Sequence, residues 1–353
     1  MKKWIRLFCL LLCLTLSVGL LSGCGTAGEE LTAQEAENLF AWMRYYEIYD
    51  FRDGEIRLMS SVVEPREDGT KDWQVHLLSM KPDGSGAKAQ KLPFVISEEV
   101  DGMTHDLSIF SVTEDTDGMR YICAATYLTP VGASVGDGQR RWLYTVSGEG
   151  ELLKSVELPE SLKIIFPRAG ILLDGDIWYA GDNHFLRVDP AAGTSENFEL
   201  CKQGMASSVS FAPNNCQPQQ LLADGRIVAI GGTMGVGVNI LSAVILEPAA
   251  RTCTDPFELP EILQTGQKVN SWDHVLTVTC ETPPQQAEVW NSEGVYRWDV
   301  DTGEVVPVFT WQQAGIQLSQ VMYVCKAADG TYVMLSPLPE SGPMTFTTYQ
   351  PEK

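Results

Sequence analysis

Basic residues are scarce in this chain. It has 25 lysines and arginines against 46 aspartates and glutamates, and its formal net charge at pH 7 is −21. Proteins that bind nucleic acid neutralise phosphates with Lys and Arg, whereas a strongly acidic surface favours solubility. The composition therefore argues against a DNA or RNA partner.

Histidine is also scarce, and potential metal ligands are dispersed. The four histidines are His76, His105, His184 and His274, and no Cys-x-x-Cys pair is present. Residues 114–118 bring three carboxylates together, which are ligands that calcium prefers, but the bidentate Glu of a calcium loop is missing. We therefore predict no metal site, no cofactor and a solvated turn at these residues.

Several catalytic motifs are missing as well. No Gly-x-Ser-x-Gly elbow of an α/β-hydrolase is present, and sialidase-type Asp boxes are absent. The glycine-rich residues 231–237 lack the Gly-Lys-Ser/Thr ending of a phosphate loop. The sequence therefore predicts no catalytic residue. Trp272 and Trp290 lie in polar stretches of the sequence. The favoured interpretation is that they pack in the core, and the alternative is that they stack on a sugar or on peptide aromatics.

The amino terminus has the pattern of a targeting segment. A basic region at residues 2–6 precedes a mostly apolar stretch, residues 7–21, which is shorter than the about 20 residues of a membrane-spanning helix. Residues 21–24, Leu-Ser-Gly-Cys, resemble the bacterial lipobox. This resemblance implies cleavage before Cys24 and attachment of a diacylglyceryl group to its sulfur.

Such a modification would hold the protein on the extracytoplasmic face of the cell membrane. One acyl chain binds a membrane only marginally, whereas two or more give stable anchoring. We expect residues 1–23 to be the lipoprotein signal peptide and residues 24–44 to be a lipidated tether with one short helix over residues 32–43. Residues 45–353 form the remaining domain.

Six cysteines remain after the signal peptide and Cys24 are set aside. They are Cys123, Cys201, Cys216, Cys253, Cys280 and Cys325. An even number outside the cell permits three disulfides. Several lie inside apolar segments, which is typical of buried free thiols. The sequence favours free thiols and leaves the disulfide state open.

Asp-Gly pairs mark a repeat along the domain. Both residues tolerate positive φ, so the pair is typical of a tight turn. Five pairs precede short segments of alternating polarity, at Asp53, Asp117, Asp174, Asp224 and Asp329. The intervals are roughly 50 to 65 residues, except the last, which is about twice as long and contains Asp273-His274 at the corresponding position. Six copies are therefore present.

Each copy continues with a second hydrophobic strand that ends in a turn, as in residues 142–148 and 185–193. In most copies a further strand follows, as in residues 152–159. Four antiparallel strands per roughly 50 residues are typical of a β-propeller blade. The sequence therefore predicts an all-β chain folded as a propeller of six four-stranded blades.

Three other architectures compete with this prediction. A β-solenoid needs a shorter and stricter period, and two β-sandwiches would not share one register through six copies. A propeller with seven blades remains an alternative prediction. The sixth copy ends at residues 349–353 before a fourth strand, while residues 45–51 are needed in the first blade. We therefore expect an irregular closure of the ring, or the front part of a longer protein.

Two resemblances follow from these motifs. Residues 296–304 and 185–193 are similar to the repeat of quinoprotein-type propellers. The quinone-binding form carries a tryptophan a few residues after the glycine, and Trp311 lies further from Gly303, so no quinone cofactor is expected. A lipobox followed by a diverged propeller resembles the N-terminal half of Gram-positive lipoproteins, in which a propeller precedes the solute-binding domain of an ABC importer.

The leading functional hypothesis is a non-enzymatic binding or scaffold module that is accessory to ABC-type solute uptake. Its expected partners are the membrane through Cys24, an envelope protein or transporter, and a small-molecule, sugar or peptide ligand. One alternative is a lactonase- or lyase-like envelope enzyme with a divalent ion in a central funnel. Another is the front half of a split solute-binding protein.

Overall fold

Strands of alternating polarity follow one another along almost the whole chain. The computed structural model describes residues 29–65, 71–94, 96–130, 137–158, 170–181, 184–199, 210–213, 219–235, 238–264, 275–316, 323–335 and 345–352. Their strands form six sheets, arranged as the blades of a β-propeller. The predicted fold class and the count of six blades are confirmed.

Blades one and two contain the longest strands. Blade one consists of β1 (Glu29–Glu30), β2 (Met43–Arg52), β3 (Glu55–Pro65), β4 (Lys71–Met80) and β5 (Lys88–Lys91), in the spatial order β1-β5-β4-β3-β2. Blade two consists of β6 (Ser97–Val100), β7 (Met103–Glu114), β8 (Arg120–Pro130), β9 (Asp137–Val146) and β10 (Leu152–Leu158), in the order β10-β9-β8-β7-β6.

Blades three and four follow the same sequential pairing. Blade three consists of β11 (Ile171–Leu173), β12 (Asp176–Gly181), β13 (His184–Asp189) and β14 (Thr194–Glu199). In blade four, β15 (Ser210–Pro213) and β16 (Gln219–Leu221) share the inner position beside β17 (Ile227–Gly235). Outside β18 (Val238–Glu247) lie β19 (Thr252–Cys253) and β20 (Phe257–Glu258). The hairpin of β17 and β18 contains most of the glycine-rich residues 231–237.

Blades five and six are linked by a crossing segment. Blade five consists of β21 (Leu276–Thr277), β23 (Ala287–Trp290), β24 (Gly294–Trp298) and β25 (Val305–Thr310). Blade six consists of β22 (Thr279–Cys280), β26 (Tyr323–Lys326), β27 (Tyr332–Leu335) and β28 (Phe346–Tyr349). Since β22 directly follows β21 and pairs in parallel with β26, one short segment belongs to both blades.

The Asp-Gly pairs form the turns that the repeat predicted. At Asp53-Gly54 the φ angles are 56° and 69°, and at Asp174-Gly175 they are 53° and 85°. Both residues of each pair lie in the left-handed region, as the tight hairpin turn between the first two strands of a blade requires. Asp101-Gly102 makes a further turn of this kind, between β6 and β7, which was not part of the repeat.

The fifth copy departs from the predicted register. Asp273-His274 lies outside the described residues, and Val275–Thr279 was expected to follow its turn as the second strand. Instead Leu276–Thr277 is the inner strand of blade five, and β23 is the second. The turn between them contains Pro283 and Pro284 instead of Asp-Gly. Because the Asp-Gly pair is missing there, the sequence pattern assigned the inner strand of this copy as its second strand.

Helix α1 (Ala33–Trp42) confirms the helix predicted near the amino terminus. Thr32 and Glu35 form a capping box, in which each side chain accepts a hydrogen bond from the other's backbone N–H, at 2.8 and 3.3 Å. Leu39 of α1 is buried in the core between blades one and six. A second, one-turn helix, α2 (Glu261–Gln264), contributes the buried Leu263 to the core between blades four and five.

Six apolar cores lie between neighbouring blades, and the last of them closes the ring. It combines Phe51 and Leu58 of blade one with Cys325 and Leu335 of blade six. The amino-terminal strand β1 pairs with β5 in blade one. Blade six reaches four strands through β22 at its inner edge, and no described strand of the amino-terminal segment belongs to it. Closure among the described residues therefore uses side-chain packing between blades one and six instead of the expected strand contribution from the amino terminus.

Membrane attachment lies outside what these elements show. The described residues contain no helix with the length and apolarity to cross a membrane. Cys24 and the predicted signal peptide also lie outside the described residues. The lipid anchor therefore stays a prediction from the sequence.

Candidate functional site

A cavity of about 410 Å³ lies where the inner strands of the blades converge. Its wall comes from β2, β7, β11 and β16 and from residues 278–283. Polar side chains contribute much of this wall: Tyr49, Asp50, Arg52, Thr113, Glu114, Asp115, Thr116, Gln219, Gln220, Thr279, Cys280 and Glu281. The volume is in the range of small-molecule sites, about 300 to 1,000 Å³.

A buried ion cluster supports the wall between blades one and two. Arg57 donates to one carboxylate oxygen of Glu114, and Arg120 Nε donates to the other at 3.0 Å. These three side chains are at most 5% exposed. Tyr49 donates its hydroxyl to Glu114 at 3.2 Å. Burial, and then the negative Glu114, raise the pKa of Tyr49 well above its usual value.

Arg52 and Asp50 also line the cavity. Arg52 donates to the carbonyl oxygens of Glu114 at 2.9 Å and Asp115 at 2.6 Å, and pairs with Asp50 at 2.8 Å. Both side chains are about one quarter exposed. Burial raises the pKa of Asp50 above its usual value, although Arg52 and Arg57 oppose this shift. The pair therefore joins blades one and two through charge-assisted hydrogen bonds.

Two glutamines of β16 connect blade four with both neighbours. Gln219 accepts from the N–H of Ala180 and donates to the carbonyl of Trp178, both at 3.0 Å. Gln220 accepts from the N–H of Glu288 at 2.8 Å and donates to the carbonyl of Val278 at 2.6 Å. Each amide therefore makes one donor and one acceptor hydrogen bond to the backbone of a neighbouring blade.

A second buried carboxylate connects blades five and six. Glu288 is 1% exposed and accepts from Tyr332 Oη at 2.6 Å and from the ammonium of Lys326. Burial, and then this carboxylate, raise the pKa of Tyr332 above its usual value. The arrangement repeats that of Glu114, because a buried glutamate is again neutralised by a basic side chain and a tyrosine hydroxyl.

Glu281 spans the place where the ring closes. One carboxylate oxygen accepts from the N–H of Gly54 in the first turn of blade one at 3.0 Å. The other accepts from the N–H of Ala328 in the corresponding turn of blade six at 2.7 Å. Glu281 directly follows β22, so the crossing segment places it between the two turns.

Residues 115–118 form the predicted turn, whereas Glu114 is the last residue of β7 and is buried instead of solvated. Asp115 accepts from the N–H groups of Asp117 and Met119 at 2.9 and 2.8 Å, and from Tyr121 Oη at 3.3 Å. Its neighbour Glu114 is held in the ion cluster. Within the described ranges, no group of three or more His, Cys, Asp or Glu side chains is placed to hold a metal ion.

The other residues singled out by sequence lie away from the cavity or outside the described residues. His76 and His184 are buried in blades one and three, and His105 is half-buried on β7. His274 and Trp272 are not among the described residues. Trp290 is buried with its ring centroid 5.9 Å from that of Trp311, so it packs in the core as favoured.

Four of the six cysteines are described, and all four are free thiols. They are Cys123, Cys253, Cys280 and Cys325. Burial raises the pKa of Cys123 to about 12, and it raises the pKa of Cys280 well above the usual value. The favoured interpretation holds for these four residues, whereas Cys201 and Cys216 lie outside the described residues.

The sequence pattern marked Glu114, Asp115 and Thr116 in the acidic segment, but it did not mark the other polar residues of the cavity. A signal existed, because Arg52 and Gln220 each precede an Asp-Gly turn by a few residues, as Glu114 does. In a propeller these positions are the ends of inner strands. Their residue types differ from copy to copy, however, so hydrophobic periodicity alone did not mark them.

No family model matches the chain, and no curated protein matches it. Among solved structures, it is similar to an α-L-arabinanase of Penicillium chrysogenum complexed with arabinobiose, at 11% identity and a TM-score of 0.45, over 89% of this chain and 95% of the other. The β-propeller domain of the Trilobed protease from Pyrococcus furiosus is 12% identical, with a TM-score of 0.40, over 88% and 97%.

A third similar structure is the extracellular domain of a one-component system from B. thetaiotaomicron. It is 13% identical, with a TM-score of 0.40, over 87% of this chain and 34% of the other. This chain therefore spans about a third of that protein. At such low identities the likeness concerns the fold alone.

Replacing Glu114 by Gln should destabilise the protein strongly. The change leaves Arg57 and Arg120 buried without their carboxylate, which typically costs about 3–5 kcal/mol. Urea unfolding measures the loss. The control is Asp301→Asn, which breaks the more exposed pair with Arg226 and should cost about 0–1 kcal/mol. Equal losses in the two variants would contradict a structural role of the ion cluster.

Asp50→Asn should change how stability depends on pH. Because the pKa of Asp50 is raised in the folded protein, its contribution to stability is present at low pH. This contribution is lost as the pH rises from the ordinary value of about 3.9 through the raised one. The variant should therefore gain stability relative to wild type across this window, as measured by urea unfolding at a series of pH values.

The control for this pH effect is Asp299→Asn. Backbone hydrogen bonds from Thr302 lower the pKa of Asp299, so its contribution is present above the ordinary pKa and is lost as the pH falls through the lowered one. This variant should lose stability relative to wild type as the pH rises. If stability relative to wild type changed with pH in the same direction in both variants, the surroundings of Asp50 would not disfavour its ionised form.

Proposed function

We propose that this protein is a lipid-anchored, extracytoplasmic propeller that binds a small, polar, uncharged ligand in its central cavity and has no catalytic role. The observation that carries this proposal is the engagement of the cavity's carboxylates. Glu114 binds Arg57 and Arg120, and Glu281 accepts two backbone N–H groups. Glu114 is therefore paired with two arginines, and both carboxylate oxygens of Glu281 are occupied by hydrogen bonds that join the blades.

A ligand would meet hydroxyl, amide and backbone groups in this cavity. Thr116 and Thr279 contribute to its wall, together with the edges of the Gln219 and Gln220 amides. Neutral hydrogen-bonding groups of this kind suit hydroxyl-rich or peptide-like molecules, since a charged ligand would need an unpaired opposite charge. A sugar or a short peptide fits this chemistry.

The anchor supports a role in capture at the cell surface. A lipobox with Cys24 would hold the cavity within a short tether of the membrane, where a captured solute could pass to a transporter. The resemblance to the propeller half of solute-binding lipoproteins has the same implication. Accessory function in ABC-type uptake is therefore part of the proposal.

Ligand binding is tested by calorimetry on the full-length protein in detergent with a panel of neutral sugars and short peptides. Thr116→Trp places a large ring at the cavity and should abolish binding of any ligand found. Thr302→Trp alters a comparably exposed turn threonine in blade five and should leave binding unchanged. Binding that survives Thr116→Trp contradicts the cavity site, and reproducible turnover of lactones, glycosides or peptides contradicts the non-enzymatic role.

The anchor is tested by replacing Cys24 with Ser in the expressed full-length gene. We expect wild type in the membrane fraction with a diacylglyceryl-modified Cys24, detected by mass spectrometry of the amino-terminal peptide. The variant should lose this modification. An unmodified Cys24 in membrane-bound wild type would contradict lipidation.

A further inference from the structure

The outer edge of blade six is formed by β28. The other blades likewise end in an outer strand, which is β10, β14 and β25 in blades two, three and five, β19 with β20 in blade four, and β1 beside β5 in blade one. Blade six also has four strands, in the order β22-β26-β27-β28, with β22 at the inner edge. Among the described residues, no strand pairs with the outer side of Phe346–Tyr349. Backbone N–H and C=O groups are therefore exposed along this edge.

The sequence of β28 lacks the features that protect exposed edges. Its residues, Phe-Thr-Thr-Tyr, are uncharged and have high β-propensity. Other outer strands carry charges or proline: β10 contains Lys154 and Glu157, β14 contains Glu196, and β25 contains Pro307. Charged residues and proline discourage the addition of another strand. The edge of β28 can therefore pair with an additional strand.

The edge is also held in place by its neighbours. Phe346 packs on the core between blades one and six, and a Cβ on Gly84 would lie 3.8 Å from its ring. The ring centroid of Tyr349 lies 4.7 Å from that of Phe309 in blade five. Thr347 and Thr348, between these anchors, are exposed. An incoming strand would meet a preformed edge and lose little free energy in ordering it.

Acidic groups lie near both ends of this edge. Asp83 is next to Gly84 at the Phe346 end, in a turn that also contains Lys81. At the other end, Glu352 is exposed, and Asp329 lies in the turn whose Thr331 donates to Gln350 at 2.5 Å. The whole chain has a net charge of −21. A second copy would bring like charges together, whereas a segment with basic ends would be attracted.

We propose that the outer edge of β28 binds an extended segment of a second protein by strand addition. The segment carries about four uncharged, β-branched residues between lysines or arginines. Its backbone completes the hydrogen bonds of the edge, and its basic ends meet the acidic groups beside Phe346 and Gln350. This surface is separate from the central cavity, so the inference goes beyond the proposed ligand binding and does not depend on it.

The test uses the fluorescent peptide Lys-Thr-Val-Thr-Val-Lys and the full-length protein in detergent, with binding measured by fluorescence anisotropy. Thr348→Lys places a charge on the edge and should weaken binding at least tenfold. Thr194→Lys makes the same change at an exposed threonine of β14 and should leave binding unchanged. A peptide with Glu at both ends should bind at least tenfold more weakly. Urea unfolding confirms that both variants fold.

Amide hydrogen exchange locates the bound peptide. On binding, exchange should slow at residues 346–349 and stay unchanged in β14. The proposal is overturned if the basic peptide does not bind, if both lysine variants weaken binding equally, or if protection appears elsewhere. It is also overturned if sedimentation shows a dimer of this chain that Thr348→Lys abolishes, since the edge would then belong to a second copy.

Discussion

Closure of the ring between blade six and blade one is the constraint on which the rest of the structure depends. Each blade buries both faces of its sheet, so an open ring would expose two apolar faces to water. The described strands close it by packing Phe51 and Leu58 against Cys325 and Leu335, with Leu39 of α1 added to this core. Glu281 then fixes the turns of both blades through Gly54 and Ala328. Apolar packing provides the driving force, and the carboxylate sets the alignment.

The same closure brings polar inner strands around one cavity. Backbone and charged groups of these strands are thereby removed from water and need hydrogen-bond partners within the protein. Short inner strands leave backbone groups without ladder partners, and side chains from neighbouring blades satisfy them. Gln219 and Gln220 do so on either side of blade four. Charged groups follow the same logic, since Glu114 and Glu288 are each buried with a basic side chain and a tyrosine hydroxyl. Buried charges compensated in this way favour one arrangement of neighbouring blades.

The sequence predicted the parts of the fold that local chemistry determines. Asp-Gly turns, the strand order within a blade and the capped helix after Thr32 follow from residues close together in the chain. The predicted strand register of the fifth copy was wrong because Pro283 and Pro284 replace the Asp-Gly pair there. The pairs of Glu281 with Gly54 and of Glu114 with Arg57 join distant residues, and neither residue type nor spacing indicates them. A single sequence therefore shows the repeat but not the contacts between copies.

These contacts also bear on function. A carboxylate that acts as a general acid or base must gain and lose a proton in each cycle, and Glu114 and Glu281 would then give up hydrogen bonds that join the blades. Proton transfer at these positions would oppose the stability of the ring itself. Recognition through hydroxyl groups such as those of Thr116 and Thr279 carries no such conflict, because a neutral hydrogen bond to a ligand leaves the charge balance of the wall unchanged. The hydrogen bonds that join the blades therefore oppose acid–base catalysis at Glu114 and Glu281.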